Sequence, residues 1–255
     1  MSLTFYPKSH RYKLDGAWVP GVTTLLGKGL PKPAIPYWAA KTIAEFVADN
    51  EDDIRSMWAK GRGPMVAYLK EVPWQKRDDA AARGSDIHDL AEQIIHGNEV
   101  EVPEAHADMV QGYADWLEAF KVEVLHTEVV VGHRASRYAG KFDAIIRFGA
   151  GPLEGETLLV DWKTSKGVYG ETALQTAAYA RAEFMVIDDE EVPLPHLDGT
   201  GVLHITEGES LFYPLATSPE QIDEHFKLFR HIAFVASNTD RIKTFIPSEP
   251  MEIAS

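Results

Sequence analysis

The spacing of apolar residues divides the chain into helical and strand-like stretches. A hairpin is predicted first at His10–Pro20, with Asp15-Gly16 as its turn. Apolar positions then recur at helical spacing up to about Phe120, and they follow a strand-like pattern through Lys163. Helices and one more hairpin complete the chain. Strands in the middle with helices before and after predict an α/β or α+β domain, with a central mixed β-sheet flanked by helices.

The predicted elements carry clear turn signals between them, and Pro73 separates two of the helices. The predicted helices are Ile35–Asp49, Asp52–Lys60, Met65–Val72, Asp78–His96, Glu104–Phe120, Gly170 to about Ile187, and Pro219–Ala236. The predicted strands are Val122–His133, Tyr138–Phe148, Thr157–Lys163, and a hairpin of Val202–Thr206 with Leu211–Leu215. We expect residues 1–75 to form an N-terminal hairpin and helical region packed on a core of residues 76–255.

The composition and net charge of the chain exclude several classes of protein. The chain has 255 residues, 45% of them hydrophobic, and no cysteine, which excludes disulfides, thiolate zinc sites and cysteine-ligated iron–sulfur clusters. No apolar run reaches the roughly 20 residues of a membrane helix, and the N-terminus lacks the pattern of a signal peptide. We therefore expect a cytoplasmic protein with no membrane partner. The net charge of −14 argues against coating nucleic acid by bulk electrostatics. It does not exclude a nuclease, because carboxylates that hold divalent cations contribute negative charge.

Candidate chemistry lies on the strand Leu158–Lys163. Side chains alternate between the faces of a strand, so Asp161 and Lys163 share one face and Trp162 points to the other. A turn centred near residues 151–153 places Asp143, on the preceding strand, directly opposite Asp161. Two carboxylates this close repel each other unless a cation lies between them, and Mg²⁺ or Mn²⁺ suits oxygen ligands. From the pattern alone, a half-exposed hairpin with a cross-strand Asp–Lys pair explains these residues equally well.

Three further motifs accompany this strand in a fixed order. Gly140 and Asp143 form a Gly-x-x-Asp motif, Asp161 and Lys163 form Asp-x-Lys, and Gln175 and Tyr179 form Gln-x-x-x-Tyr. Upstream, Gly84 and His88 form Gly-x-x-x-His on a predicted helix. Together these motifs resemble the PD-(D/E)xK nuclease superfamily, specifically the phage-type members of its RecB-like exonuclease branch that lack an iron–sulfur cluster.

The resemblance implies a restriction-endonuclease-like core and a site that binds one or two Mg²⁺ or Mn²⁺ ions. It implies His88 as a metal ligand beside Asp143 and Asp161, with the main-chain carbonyl of Trp162 as a further ligand. Lys163 would orient or deprotonate the attacking water and offset charge on the phosphate. Glu128 matches a further acidic position of the branch.

The resemblance also implies contacts to the substrate. Gln175 and Tyr179 would contact DNA phosphate or brace the catalytic strand, and Lys166 with the Thr164 and Ser165 hydroxyls would hold adjacent phosphates. Apart from the resemblance, aromatic residues of the N-terminal helical region either belong to the core or stack bases of a threaded single strand; these are Tyr37, Trp38 and Trp74.

The expected function is hydrolysis of phosphodiester bonds at single-stranded or duplex DNA ends, in phage recombination, repair or end processing. A recombination protein or a single-strand-binding protein is an expected partner. The alternatives are a sequence- or structure-specific endonuclease of the same superfamily, a non-catalytic DNA-binding subunit, an unrelated metal hydrolase and a structural α/β domain. No phosphate-loop or His-rich metal motif supports an unrelated hydrolase.

Overall fold

The computed structural model describes residues 2–95 and 101–246, without the side chains of residues 80, 81, 83, 85 and 88. Contacts divide the chain into two units. One contains residues 1–30 and 103–255, and the other contains residues 31–102. This division does not follow the boundary predicted after residue 75, because the N-terminal hairpin belongs to the unit that contains the large sheet.

The first 30 residues form a small antiparallel sheet and one helix. The elements are β1 (Leu3–Tyr6), β2 (Arg11–Leu14), β3 (Ala17–Val19) and α1 (Val22–Gly29). The predicted hairpin is confirmed as β2 and β3, and both Asp15 and Gly16 have the positive φ that a type I′ turn requires. Leu14 and Tyr12 of this sheet are buried together with Ala139 and Phe184 of the large sheet.

The unit of residues 31–102 is helical where it is described. Its helices are α2 (Ala34–Asp49), α3 (Glu51–Ala59) and α4 (Arg62–Ile95). The prediction of two helices separated at Pro73 is wrong, because α4 runs through this proline. Proline removes one backbone hydrogen bond, but strong helix formers such as Lys70, Glu71 and Gln75 flank it. His96, the predicted end of this helix, lies outside the described residues.

The large sheet has seven strands in the order β10-β9-β6-β5-β4-β7-β8. Helix α5 (Ala107–Ala119) precedes β4 (Glu123–His133), β5 (Tyr138–Arg147) and β6 (Thr157–Lys163). Then follow α6 (Glu171–Ala180), β7 (Phe184–Ile187), β8 (Glu190–Val192), β9 (Gly199–Thr206), β10 (Glu209–Ala216) and α7 (Pro219–Lys243). Strands β6 and β9 are parallel and the other neighbours are antiparallel, so the predicted mixed sheet flanked by helices is confirmed.

The helix predicted to continue to about Ile187 ends at Ala180, so this prediction is wrong. Residues Phe184–Ile187 form β7, which pairs with β4 through Val186 and Val130. Aromatic and branched residues fit a buried strand as well as a helix, and the available edge of β4 decides between them. Helix α7 also extends to Lys243, beyond its predicted end at Ala236.

Helices cover both faces of the sheet. Helices α1, α6 and α7 share one apolar core with Phe142, Ile145 and Leu159 of the sheet. On the other face, Trp116 of α5 packs against the rings of Phe148 and Phe212. No helix among the described residues is long and apolar enough to cross a membrane.

Candidate active site

The candidate site forms where β5 and β6 diverge. The two strands pair from Arg147–Thr157 to Ala144–Val160, and the next two positions are Asp143 and Asp161. This is the register predicted from the sequence. Beyond Ala144, the Asp143 carboxylate takes the place of the strand partner, because its Oδ2 accepts a hydrogen bond of 2.7 Å from the Trp162 backbone N–H. The divergence therefore places two carboxylates side by side.

Asp161 is the most deeply buried charged residue of the site. Its relative exposure is 2%, and its Oδ2 lies 2.6 Å from Lys163 Nζ, whose side chain is 28% exposed. The contact is a short ion pair, and the Lys163 ammonium also acts on Asp161 as a hydrogen-bonding partner. A buried carboxylate needs such a charged or hydrogen-bonding partner.

The surroundings of Asp161 favour its neutral form. Burial and the nearby charge of Asp143 raise the pKa of Asp161 to about 7, although Lys163 acts in the opposite direction. Burial acts to lower the pKa of Lys163, but the charges of Asp161 and Asp143 outweigh it, and the pKa of Lys163 is raised. Burial and the charge of Asp143 therefore disfavour the ionised form of Asp161.

Gln175 and Tyr179 connect α6 to this cluster. Gln175 Nε2 donates a hydrogen bond of 2.8 Å to Asp161 Oδ1, and the Tyr179 hydroxyl lies 3.5 Å from the same nitrogen. Tyr179 is buried, and a Cβ built at Gly140 would overlap its ring. These contacts explain three motif positions together. Gln175 therefore contacts β6 through Asp161, and Tyr179 lies beside Gln175.

The predicted phosphate-binding residues lie in the loop after β6. Lys166 is exposed and Thr164 is partly exposed. The Ser165 hydroxyl donates to the Gly167 carbonyl at 2.9 Å, and the Ser165 carbonyl lies 2.6 Å from His204 Nε2. The loop is therefore attached to β9, and Lys166 projects from it.

Two residues near the cluster were not predicted. His204 of β9 is adjacent to Lys163 in the parallel register, and it is buried. Tyr113 of α5 packs edge-on against the Trp162 ring, and its buried hydroxyl has no hydrogen-bond partner among the described residues. Burial, with a contribution from the charge of Asp143, raises the pKa of Tyr113. Neither residue has a local sequence signal, because each reaches the site by packing between distant segments.

Glu128 occupies the position of β4 beside Asp143. Its neighbours Thr127 and Val129 pair with Ala144 and Phe142, which flank Asp143 on β5. Glu128 has a φ of 54°, which is rare for a residue with a Cβ and costs conformational energy. Its carboxylate forms an ion pair with Lys141. Glu128 therefore lies on β4, the strand next to the one that carries Asp143.

The donor atoms of the cluster suit a hard divalent cation. Asp143 and Asp161 supply carboxylate oxygens, and Asp161 is buried. The N–H and C=O of one strand residue point to the same side, so the Trp162 carbonyl is expected to face Asp143 as its N–H does. No group of three metal-ligating side chains occurs within the described part of the chain. The backbone of His88 lies in α4, and its side chain is outside the described residues.

Comparison with known proteins adds little to this geometry. No family model matches the chain, and no curated protein matches it. A solved structure titled "Crystal structure of SSO0001" is similar over 71% of this chain and 70% of that one, with 15% identity and a TM-score of 0.34. A likeness at this level carries no argument about fold or function.

Proposed function

We propose that the chain is a metal-dependent DNA nuclease that hydrolyses phosphodiester bonds. The observation that carries the proposal is the buried Asp161, which lies between Asp143, Lys163 and Gln175 where two strands diverge. A carboxyl group with a raised pKa beside a second carboxylate is a marker of a functional site.

In this proposal Asp143, Asp161 and the Trp162 carbonyl hold Mg²⁺ or Mn²⁺, with His88 as the further ligand that the family resemblance implies. Once bound, such an ion polarises the scissile phosphate, activates water and stabilises the leaving oxygen. Gln175 keeps the Asp161 carboxylate in a fixed orientation through its hydrogen bond to Oδ1. Glu128 is a further acid on the neighbouring strand.

Lys163 acts in this proposal as a cation. Because its pKa is raised, it stays protonated at neutral pH. A protonated amine orients water and offsets charge on the phosphate, but it does not take up a proton. Of the two roles expected for Lys163, the electrostatic one fits its surroundings. Lys166, Thr164 and Ser165 extend the site along the substrate from the loop after β6.

The choice of DNA and of exonucleolytic cleavage rests on the ordered motifs and their resemblance to the RecB-like branch. The restriction-endonuclease-like core is part of the same proposal, because the mixed sheet alone occurs in many folds. A role in phage recombination, repair or end processing follows from that resemblance. A recombination or single-strand-binding partner and a cytoplasmic location stay predictions.

The test is degradation of labelled linear and circular DNA with Mg²⁺ or Mn²⁺. We expect loss of linear DNA alone, and we expect Lys163→Ala and Asp161→Ala each to abolish it while circular dichroism shows an intact fold. Asp240→Ala and Lys243→Ala are the matched controls, since they remove the same residue types from an exposed ion pair.

The outcomes separate the alternatives. Degradation that persists in both site variants shows that the assigned site is wrong. Cleavage of circular DNA at discrete positions would replace the exonuclease proposal with an endonuclease. Binding of Mn²⁺ by the wild type, followed by calorimetry and lost in Asp161→Ala, is an independent readout of the metal site.

A further inference from the structure

A second surface, lined by basic side chains, lies away from Asp143 and Asp161. A cavity of about 650 Å³ opens between the β4–β5 turn and helix α7. Ser136 and Arg137 line it from the turn, and Lys227, Arg230, His231 and Phe234 line it from the helix. Helix α7 packs on α6, which covers the face of the sheet that carries Asp161 and Lys163. The cavity and the proposed active site therefore lie on the same side of the sheet.

The charge of this cavity differs from that of the chain. The protein has a net charge of −14, yet Arg137, Lys227 and Arg230 line the cavity and no carboxylate does. None of the three forms an ion pair with a described residue. In contrast, Arg134 in the same turn binds both Asp15 and Glu191. Unpaired cations around one cavity are the arrangement that attracts a polyanion.

Nearby Glu183 does not neutralise these cations. Its carboxylate accepts hydrogen bonds from the backbone N–H groups of Arg134 and Ala135, and it pairs with His133. These contacts hold the turn in place from its other side. The geometry leaves the guanidinium of Arg137 directed at the cavity together with the side chains of α7.

The cavity also contains an exposed aromatic ring. Lys227 is followed by the adjacent Arg230 and His231 and then by Phe234, and steps of three or four residues connect these three levels, so they form one stripe along α7. Phe234 is 71% exposed, whereas a phenylalanine with only a structural role is normally buried. A groove of cations with an aromatic ring at its side is typical of single-strand binding, where phosphates contact the cations and a base stacks on the ring.

We propose that this cavity binds single-stranded nucleic acid outside the active site. Arg137 precedes Asp143 by six positions on or next to β5, which corresponds to about 20 Å along an extended strand. One nucleic acid chain can span that distance. The inference rests on the proposed nuclease function and extends it: the cavity holds the strand that enters or leaves the catalytic cluster.

The test is binding of a fluorescent oligothymidylate of about 30 nucleotides, measured by anisotropy with a chelator over a series of salt concentrations. The variant Lys227→Gln/Arg230→Gln is expected to bind more weakly, with a salt dependence shallower by about 1.4, since each lost phosphate contact lowers the slope by about 0.7. The control is Lys28→Gln/Lys243→Gln, which removes the same amount of charge from exposed lysines outside the cavity. The salt dependence of its binding should match that of the wild type.

Stacking is tested separately. Phe234→Ala is expected to weaken binding roughly fivefold or more at an unchanged salt slope, because a base loses its aromatic partner. Phe245→Ala is the control, since Phe245 is 65% exposed near the end of the same helix but does not line the cavity. Equal losses in the two phenylalanine variants would overturn the stacking contact.

The failure of this inference is distinguishable from the failure of the proposed function. If the wild type degrades DNA but the cavity variant and the control variant bind the oligonucleotide equally well, the cavity proposal is wrong. The proposed nuclease function is not affected by that result. If binding depends on the cavity but the protein degrades no DNA with Mg²⁺ or Mn²⁺, the nuclease proposal is contradicted. The cavity proposal is then supported. If a duplex of equal length binds more tightly than the single strand, and the cavity double variant weakens that binding, the assignment to single-stranded nucleic acid is wrong.

Discussion

Two clusters in this chain each combine two carboxylates with one basic residue, and they differ in burial. Arg134 binds Asp15 and Glu191 near the surface, where all three side chains are partly exposed. Asp143, Asp161 and Lys163 lie at the divergence of β5 and β6, where Asp161 is almost fully buried. The hydrogen bond from Arg134 lowers the pKa of Asp15, whereas burial and Asp143 raise the pKa of Asp161.

The difference separates a structural ion network from a candidate site. The guanidinium of Arg134 donates hydrogen bonds to both oxygens of Asp15 and to both oxygens of Glu191. Lys163 is a single cation beside the buried Oδ2 of Asp161. The proposed function requires an added cation at this second cluster and none at the first.

The largest expected effect distinguishes the two clusters by activity. Asp161→Asn should lower DNA degradation by about a thousandfold or more, because the amide cannot supply negative charge to a divalent ion. Asp15→Asn should leave degradation unchanged and lower the melting temperature, because Arg134 loses a charged partner. Initial rates and thermal melts of both proteins check this. Equal activity in the two variants would remove the functional distinction between the clusters.

Gln175→Ala should have an intermediate effect. It removes the hydrogen bond that orients Asp161 and leaves the carboxylate in place, so we expect activity or metal affinity to fall roughly 10- to 100-fold. Gln111→Ala is the control, since Gln111 donates to Asp115 in an exposed pair on α5. If saturating Mn²⁺ restores none of the lost rate, orientation of a metal ligand is not the role of Gln175.

The dependence of stability on pH should have opposite signs in the two clusters. The pKa of Asp161 is raised from 3.8 to about 7, so the folded state retains this proton more strongly. Its contribution to stability is therefore full at low pH and is lost as the pH rises through about 7. In buffer that contains a metal chelator, the free energy of unfolding of the wild type should fall relative to that of Asp161→Asn as the pH rises from about 4 to 7. Urea titrations of both proteins measure this difference.

Asp15 provides the matched control for that measurement. Its pKa is lowered in the folded protein, so its contribution is present above pH 3.8 and is lost as the pH falls below that value. Wild type and Asp15→Asn should therefore converge in acid. A flat difference between wild type and Asp161→Asn from pH 4 to 7 would contradict the raised pKa of Asp161.

The smallest expected effect concerns Tyr113. Its buried hydroxyl has no hydrogen-bond partner among the described residues, so Tyr113→Phe should leave the stability of the metal-free protein unchanged or slightly raised. Urea titration of the two proteins in chelator checks this. A loss of about 1 kcal/mol or more would indicate that the hydroxyl is hydrogen-bonded in solution.

Much of the site could be predicted because it is local in the chain. Asp161 and Lys163 share a face through the period of a strand, and the short connection between β5 and β6 fixes Asp143 opposite Asp161. The spacing of Gln175 and Tyr179 puts both on one side of α6. The hairpin at Asp15-Gly16 was equally predictable, since its turn type requires residues that tolerate positive φ.

Other features depend on segments that are distant in sequence, and only the tertiary structure decides them. The strand β7 exists because β4 offers an edge, and His204 lies beside Lys163 in the register because β9 runs parallel to β6. Burial of Asp161 requires α6 above the sheet, and burial of Tyr113 requires α5 beneath it. The sequence by itself therefore determined which acids and which lysine lie together. The tertiary structure decided that they are desolvated, which is the physical reason why Asp161 differs from Asp15.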